Sequence, residues 1–244
     1  MTKKIPFARS FLGVDDATSQ SNERGDTMND APRGLLFVAS DIDEQDDDDF
    51  NQWYDREHLE DRVRMPGVLA AARYVAVDGG PRYLALYWAD TIGPFASPAY
   101  AHAFKNQTPW SLKVLPKMRT PVRRIGTLHA EIGKGSGGHL AILPLELPAA
   151  PAELIARCRE LGKSLSTERG FVRSALLIPD DDLSRPLPLE NLSTRKMQPI
   201  FLIESSHAAA SDEALQRSAT ELAGSHKAAA RYTLTWSLDA RECA

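Results

Sequence analysis

Cysteine is nearly missing from this chain: Cys158 and Cys243 are the only two in 244 residues. Neither belongs to a CxxC, and a single pair over this length is no disulfide framework, so the sequence reads as that of a cytoplasmic protein in a reducing setting. Long apolar runs are missing too. No stretch approaches the roughly 20 residues a membrane-spanning helix needs, so no membrane partner is expected. The N-terminus, "MTKKIPFARSFLGV", starts positive but has no apolar core or small-residue cleavage site, and does not read as a signal peptide. A basic excess is also absent. The 29 Lys and Arg against 33 Asp and Glu give a formal net charge of −4, and no cluster marks a nucleic-acid-binding face.

Several chemical signatures are lacking as well. No GxGxxG follows a strand, no GxSxG elbow occurs, and "GKGSGG" lacks the GK[ST] ending of a phosphate loop. His102, His139, His207 and His226 show no zinc spacing, and the run Asp46 to Asp49 lacks the spaced pattern of a calcium loop. Neither a metal nor a cofactor is expected.

What is present is a core-forming pattern, with 43% hydrophobic residues, enough for one large domain or two ordinary ones. Residues 15–33 are polar and rich in turn formers, so an irregular arm is expected over 1–33, and Met28 could be the natural start. From Gly34 the elements are regular. "GLLFVASDI" predicts a strand over 34–42, and "DEQDDDDFNQWYDREHLEDRVRMPG" a helix with acids in its first turn and Pro66-Gly67 as its stop. Strands follow over 68–77 and 82–90, joined by the turn "DGGP". A helix fits Pro98 to Asn106, "PWSLKVLPKMR" reads as irregular, and a fourth strand covers 123–133.

After the linker 134–138 the order repeats. "HLAILPLEL" is a strand, residues 150–170 an amphipathic helix and "FVRSALLIPD" a strand, followed by a Pro-rich loop over 183–199. "IFLIESSH" is a strand, "SDEALQRSATELAG" a helix and "KAAARYTLTWSLD" the last strand. Gly67 aligns with Gly170 and Val68 with Phe171 when the halves are superposed. The expected fold is therefore α+β: two tandem ferredoxin-like βαββαβ units, 34–133 and 139–244, forming a pseudo-dimer within one chain. Strands apolar at both parities require both sheet faces to be covered, so the sheets are expected to meet as a barrel with helices outside.

The segments "FNQWYDREHLEDRVRMPGVLAAARY", "GGPRYLALYWAD", "SPAY" and "NQTPWSLKV" resemble the dimeric α/β-barrel superfamily, and most nearly its uncharacterised and EthD-like members. There a "WY-x-x-x-H" helix runs to a "PG" and a strand with a final Arg. The resemblance covers residues 34–132 well and the second half by topology only. It implies the barrel fold and a range of activities that includes cofactor-independent monooxygenases and muconolactone-type isomerases. The chain departs from the common "H-x-P" form, with Glu60 in place of proline, and its second half lacks the WY/His helix. Any site is thus expected to be single and asymmetric.

His58 is the first candidate catalytic residue, and Tyr54, which would orient the substrate, is the second. Helical spacing sets it one turn from Tyr54, and an imidazole titrates near neutrality and can exchange protons with a phenol, lactone or enol. The plainer reading makes Trp53 and Tyr54 core residues and His58 a cap bonded to backbone. Arg73, mid-strand, needs an acid or an anionic ligand if it points into the barrel, and Tyr87 shares a strand face with Tyr83. Trp53, Arg73 and Tyr87 are thus candidate substrate-binding residues; otherwise they are a surface arginine and packing aromatics. His129 and Trp236, at matched positions of the fourth and eighth strands, could line one cavity from opposite halves or be core.

Two functions follow. One is a cofactor-independent isomerase, cyclase or monooxygenase holding an aromatic or polyketide-like ligand in the barrel. The other is a ligand-binding or assembly protein with a filled barrel core. Either is compatible with a homo-oligomer.

Overall fold

The computed structural model describes residues 31–244 except 147, 149, 224–227 and 244. Most of the expected N-terminal arm, Met28 included, lies outside the described residues. β1 (Gly34–Asp41) is buried at almost every position, as a strand covered on both faces must be. The long segment expected as one helix is four pieces in series: a 3-10 turn (Glu44–Asp46), α1 (Asp47–Trp53), a π turn (Tyr54–His58) and α2 (Leu59–Val63). Gly67, at φ +85°, lets the chain turn from α2 into β2 (Val68–Asp78), and a Cβ there would meet Pro94 Cγ at 2.5 Å. Gly170, ahead of β6, also has positive φ.

β3 (Tyr83–Ala89) is followed by three short helices, α3 (Gly93–Ala96), α4 (Pro98–Lys105) and α5 (Pro109–Val114). The last occupies a stretch expected to be irregular. Thr108 caps it by accepting from the Ser111 N–H, and Pro109 fits its first turn, so local signals sufficed. β4 (Arg119–Gly133) starts earlier than expected, and β5 (His139–Pro144) ends earlier. α6 (Pro151–Leu165), β6 (Phe171–Pro179), β7 (Ile200–Ser205), α7 (Ala208–Glu221) and β8 (Ala230–Asp239) complete the chain.

The eight strands close into a barrel in the order β1-β3-β2-β8-β5-β7-β6-β4, antiparallel throughout. The first four strands run β4-β1-β3-β2 and the last four β8-β5-β7-β6, the same relative order. Helices lie outside: α2 on β2, α6 on β4 and β6, α7 on β5 and β7. Among the described residues no helix is long and apolar enough to cross a membrane.

One parity of side chains points inward. Phe37, Tyr74, Leu86, Trp88, Leu140 and Tyr232 fill the barrel interior. Bulky residues on facing strands occupy much of that volume. A cavity of about 290 Å³ remains where Trp88, Arg173 and Glu204 meet. Arg173 Nε donates there to Glu204 at 2.7 Å, and the Gly137 N–H donates to the same carboxylate at 2.9 Å.

Candidate functional site

The outward parity of the first-half strands meets α1, the π turn and α2. The aspartates at the start of this segment are bound to cations: Asp46 to Lys117 at 2.6 Å, Asp47 to Arg82 at 3.1 Å and Asp49 to Lys113 at 2.8 Å. They therefore tie the helix start to the body of the protein while complementing its dipole. Phe50, Trp53 and Tyr54 turn inward and are buried. Trp53 Nε1 donates to Ser111 Oγ on α5 at 3.1 Å, which satisfies the one polar atom of the indole.

The π turn sets the geometry of His58. The Leu59 N–H donates to the Tyr54 carbonyl, five residues back, so one extra residue is accommodated in the turn. Tyr54 and His58 meet edge to face with centroids 5.1 Å apart, and the His58 ring lies 4.2 Å from that of Trp53. His58 makes no hydrogen bond among the described residues, and its Nδ1 is buried without a partner. The reading of His58 as a backbone cap is thus corrected: the helix continues through it into α2, leaving no free helix end for it to bond.

Arg73 points away from the barrel interior and is nonetheless buried, so it is not a surface arginine either. Its strand partner Trp236 and its neighbours Ala71 and Val75 share the outer face, beneath α1. It is ion-paired with Asp55 of the π turn, donates to Asn51 Oδ1 at 2.8 Å and lies 4.5 Å from the Tyr54 ring centroid. An acid inside the protein, not a ligand, meets this buried charge.

Tyr54, His58 and Tyr87 line a cleft of about 60 Å³ between the sheet and the helices. Tyr100 and Phe104 of α4 and Leu187 of the long loop after β6 also face it. The Tyr87 hydroxyl is buried and unpartnered; it lies near that of Tyr54 without reaching hydrogen-bond geometry. Burial raises the Tyr54 pKa against the opposing pull of Arg73, and raises that of Tyr87 well above the usual phenol value. His58 is partly accessible through the cleft, yet burial pushes its pKa well below 6.5, helped by the positive charges of Arg62 and Arg73. The imidazole is therefore neutral at pH 7.

Of the candidates read from sequence, Trp53, Tyr54, His58, Arg73 and Tyr87 come together here. His129 and Trp236 do not, and they share no cavity. His129 pairs with Leu176 on the outer face and bonds Thr127 Oγ1 at 2.8 Å, while Trp236 stands 44% exposed on β8. Matched strand positions do put both on outward faces, but β4 and β8 stand four strands apart, on opposite sides of the barrel. Two charged residues that line the cleft were missed: Arg62 and Arg123. Arg62 is four positions after His58 and shares its helical face, so the spacing was a usable signal. For Arg123 the adjacent Arg124 obscured which one turns toward the helices.

No family model matches the chain, and no curated protein matches it in sequence. Solved structures do. An anthrone oxidase-like protein superposes with a TM-score of 0.63 at 11% identity, over 89% of this chain and 97% of that one. An arginine-to-alanine variant of chlorite dismutase from Candidatus Nitrospira defluvii gives 0.51 at 9% identity, over 86% and 93%. At such identities the likeness shows the fold alone, and that fold is the α+β barrel of eight antiparallel strands found in dimeric α/β-barrel proteins.

Proposed function

We propose that the protein is a cofactor-independent enzyme acting on an aromatic or polyketide-like small molecule in the His58 cleft. The observation that carries this reading is a neutral, unbonded imidazole opening on a cleft beside two phenols. His58 takes a proton from an acidic C–H or O–H of the ligand and becomes imidazolium, leaving an enolate or phenolate. Tyr54 and Tyr87, both protonated, donate to the oxygen on which that charge develops. Reprotonation at another carbon gives isomerisation, attack within the molecule gives cyclisation, and reaction with dioxygen gives oxygenation. The anthrone oxidase-like neighbour supports this range by fold only.

The same reading takes the chain as two tandem ferredoxin-like units, 34–133 and 139–244, with an EthD-like first half. The recurring strand order and the positive-φ glycines before β2 and β6 support it. A second reading, a binding or assembly protein, is favoured by the filled barrel interior. A mass-spectrometric search for a co-purifying ligand, repeated on His58→Ala, separates the two. A ligand that is bound by the wild type and converted only with His58 present supports the enzyme; an identical ligand profile in both argues for plain binding.

A further inference from the structure

Four arginines of the first half are buried: Arg62, Arg73, Arg123 and Arg124. Two have a carboxylate, Arg73 with Asp55 and Arg124 with Glu190. The other two, Arg62 and Arg123, have no ion pair among the described residues, and both line the His58 cleft, which no Asp or Glu lines. A buried guanidinium without an anion is unfavourable, and its positive field is strong in a site walled by apolar side chains.

Arg123 is 7% exposed. One terminal nitrogen donates to the Arg185 carbonyl at 2.7 Å, and the other reaches Tyr100 Oη at 3.5 Å. Its Nε–H has no partner. The guanidinium lies 5.1 Å from the Phe104 ring centroid, at the rim where Phe104 is 42% exposed. Neutral acceptors alone thus hold this cation, and part of its donor set, the Nε–H included, remains free.

Its holder belongs to the other half of the chain. The loop between β6 and β7 is bolted onto β4 by Ser184, which accepts from the Ile125 N–H at 2.8 Å and donates to the Ile125 carbonyl at 2.9 Å. Glu190, buried, binds Arg124 at 2.7 Å and Arg195 at 3.2 Å. That loop supplies both the Arg185 carbonyl and Leu187 of the cleft wall. A long irregular loop fixed this firmly is more than a connector.

We infer that Arg62 and Arg123 form an anion clamp, and that the ligand of the His58 cleft carries a carboxylate or a similar delocalised oxyanion. The clamp receives the charged group and the rest of the ligand lies toward Phe104 and Leu187. A volume of about 60 Å³ suits such a group, with the ring at the open rim. The inference rests on the cleft being the ligand site, but not on His58 doing chemistry there.

Benzoate and its neutral counterpart benzamide test the clamp, with binding measured by calorimetry on the full-length protein. The wild type binds benzoate at least about tenfold more tightly than benzamide, equal to about 1.4 kcal/mol, and the preference shrinks as salt is raised. Arg62→Met and Arg123→Met each bring the two ligands within about threefold, while His58→Ala keeps the preference. Loss of chemistry and loss of the clamp are thereby told apart. Equal affinity in the wild type, no benzoate binding at tens of millimolar, or an undiminished preference in folded Arg62→Met would overturn the clamp. Thermal unfolding verifies each variant, and if Arg123→Met fails to fold, the wild type and Arg62→Met decide.

Discussion

Trp53 and His58 stack across five positions of one helix, with ring centroids 4.2 Å apart and planes 30° from parallel. In a regular α-helix residues five apart diverge around the axis, so the contact depends on the π turn between them. The stack helps bury the imidazole and so gives its titration a sign. The folded pKa lies below 6.5, so between the two values the unfolded chain takes up a proton that the folded one refuses. Stability is retained above pH 6.5 and lost as the pH falls toward the folded pKa.

The expected slope from His58 is at most about 1.4 kcal/mol per pH unit. His129, whose pKa burial also lowers, adds in the same direction, so the comparison must be differential. Denaturant unfolding of wild type and His58→Phe, run from pH 7.5 to 5, isolates the effect. The variant is expected to lose stability less steeply below pH 6.5. Parallel curves would show that His58 is not held neutral by folding.

The Arg73–Asp55 pair predicts an asymmetric mutational response. Arg73 is almost fully buried, whereas the Asp55 side chain keeps 29% of its exposure. Asp55→Asn strands a buried cation and is expected to cost about 3 kcal/mol. Arg73→Met leaves a carboxylate that can still reach water, and removes a charge from among Phe50, Tyr54 and Tyr83. It should cost less, and the double variant should recover most of the loss. A double-mutant cycle at pH 7 measures this directly.

The barrel was legible in the sequence because it rests on strand parity and helix order, which local patterns carry. "LLFVA" and "AILPL", apolar at both parities, called for two covered faces, and the outer helices and filled interior supply them. The place of the site was less legible. Arg73 could be assigned to a strand, but its side of the barrel depends on register and on the bulge opposite Arg73 and Tyr74. A slip of one residue reverses the face. Arg123 was hidden for a different reason, since its surroundings come from Arg185 and Leu187, more than sixty positions away, in a loop without periodicity.

Glu190 should govern that loop. Its carboxylate is buried and faces both Arg124 and Arg195. Glu190→Gln keeps the shape and removes the charge, leaving two guanidinium groups without an anion, and is expected to cost about 3 kcal/mol. The loop carries Arg195 and Lys196, so its release is readable with trypsin. Faster cleavage at these residues, while the barrel strands stay protected, is the expected result. Unchanged protection would show that Ser184 and the backbone contacts suffice.

Tyr87 makes the opposite kind of prediction. Its ring is packed on the outer sheet face, 1% exposed, and its hydroxyl has no partner among the described residues. A buried, unpaired hydroxyl is destabilising, so Tyr87→Phe should raise stability by about 1 kcal/mol, or about 2–4 °C in Tm for a domain of this size. A residue retained for packing alone would show nothing else on substitution. A residue that donates to a developing oxyanion should lose turnover of the co-purifying ligand while the Tm rises. Stability and turnover moving in opposite directions in one variant would mark the hydroxyl as kept for the ligand, because folding by itself favours its removal.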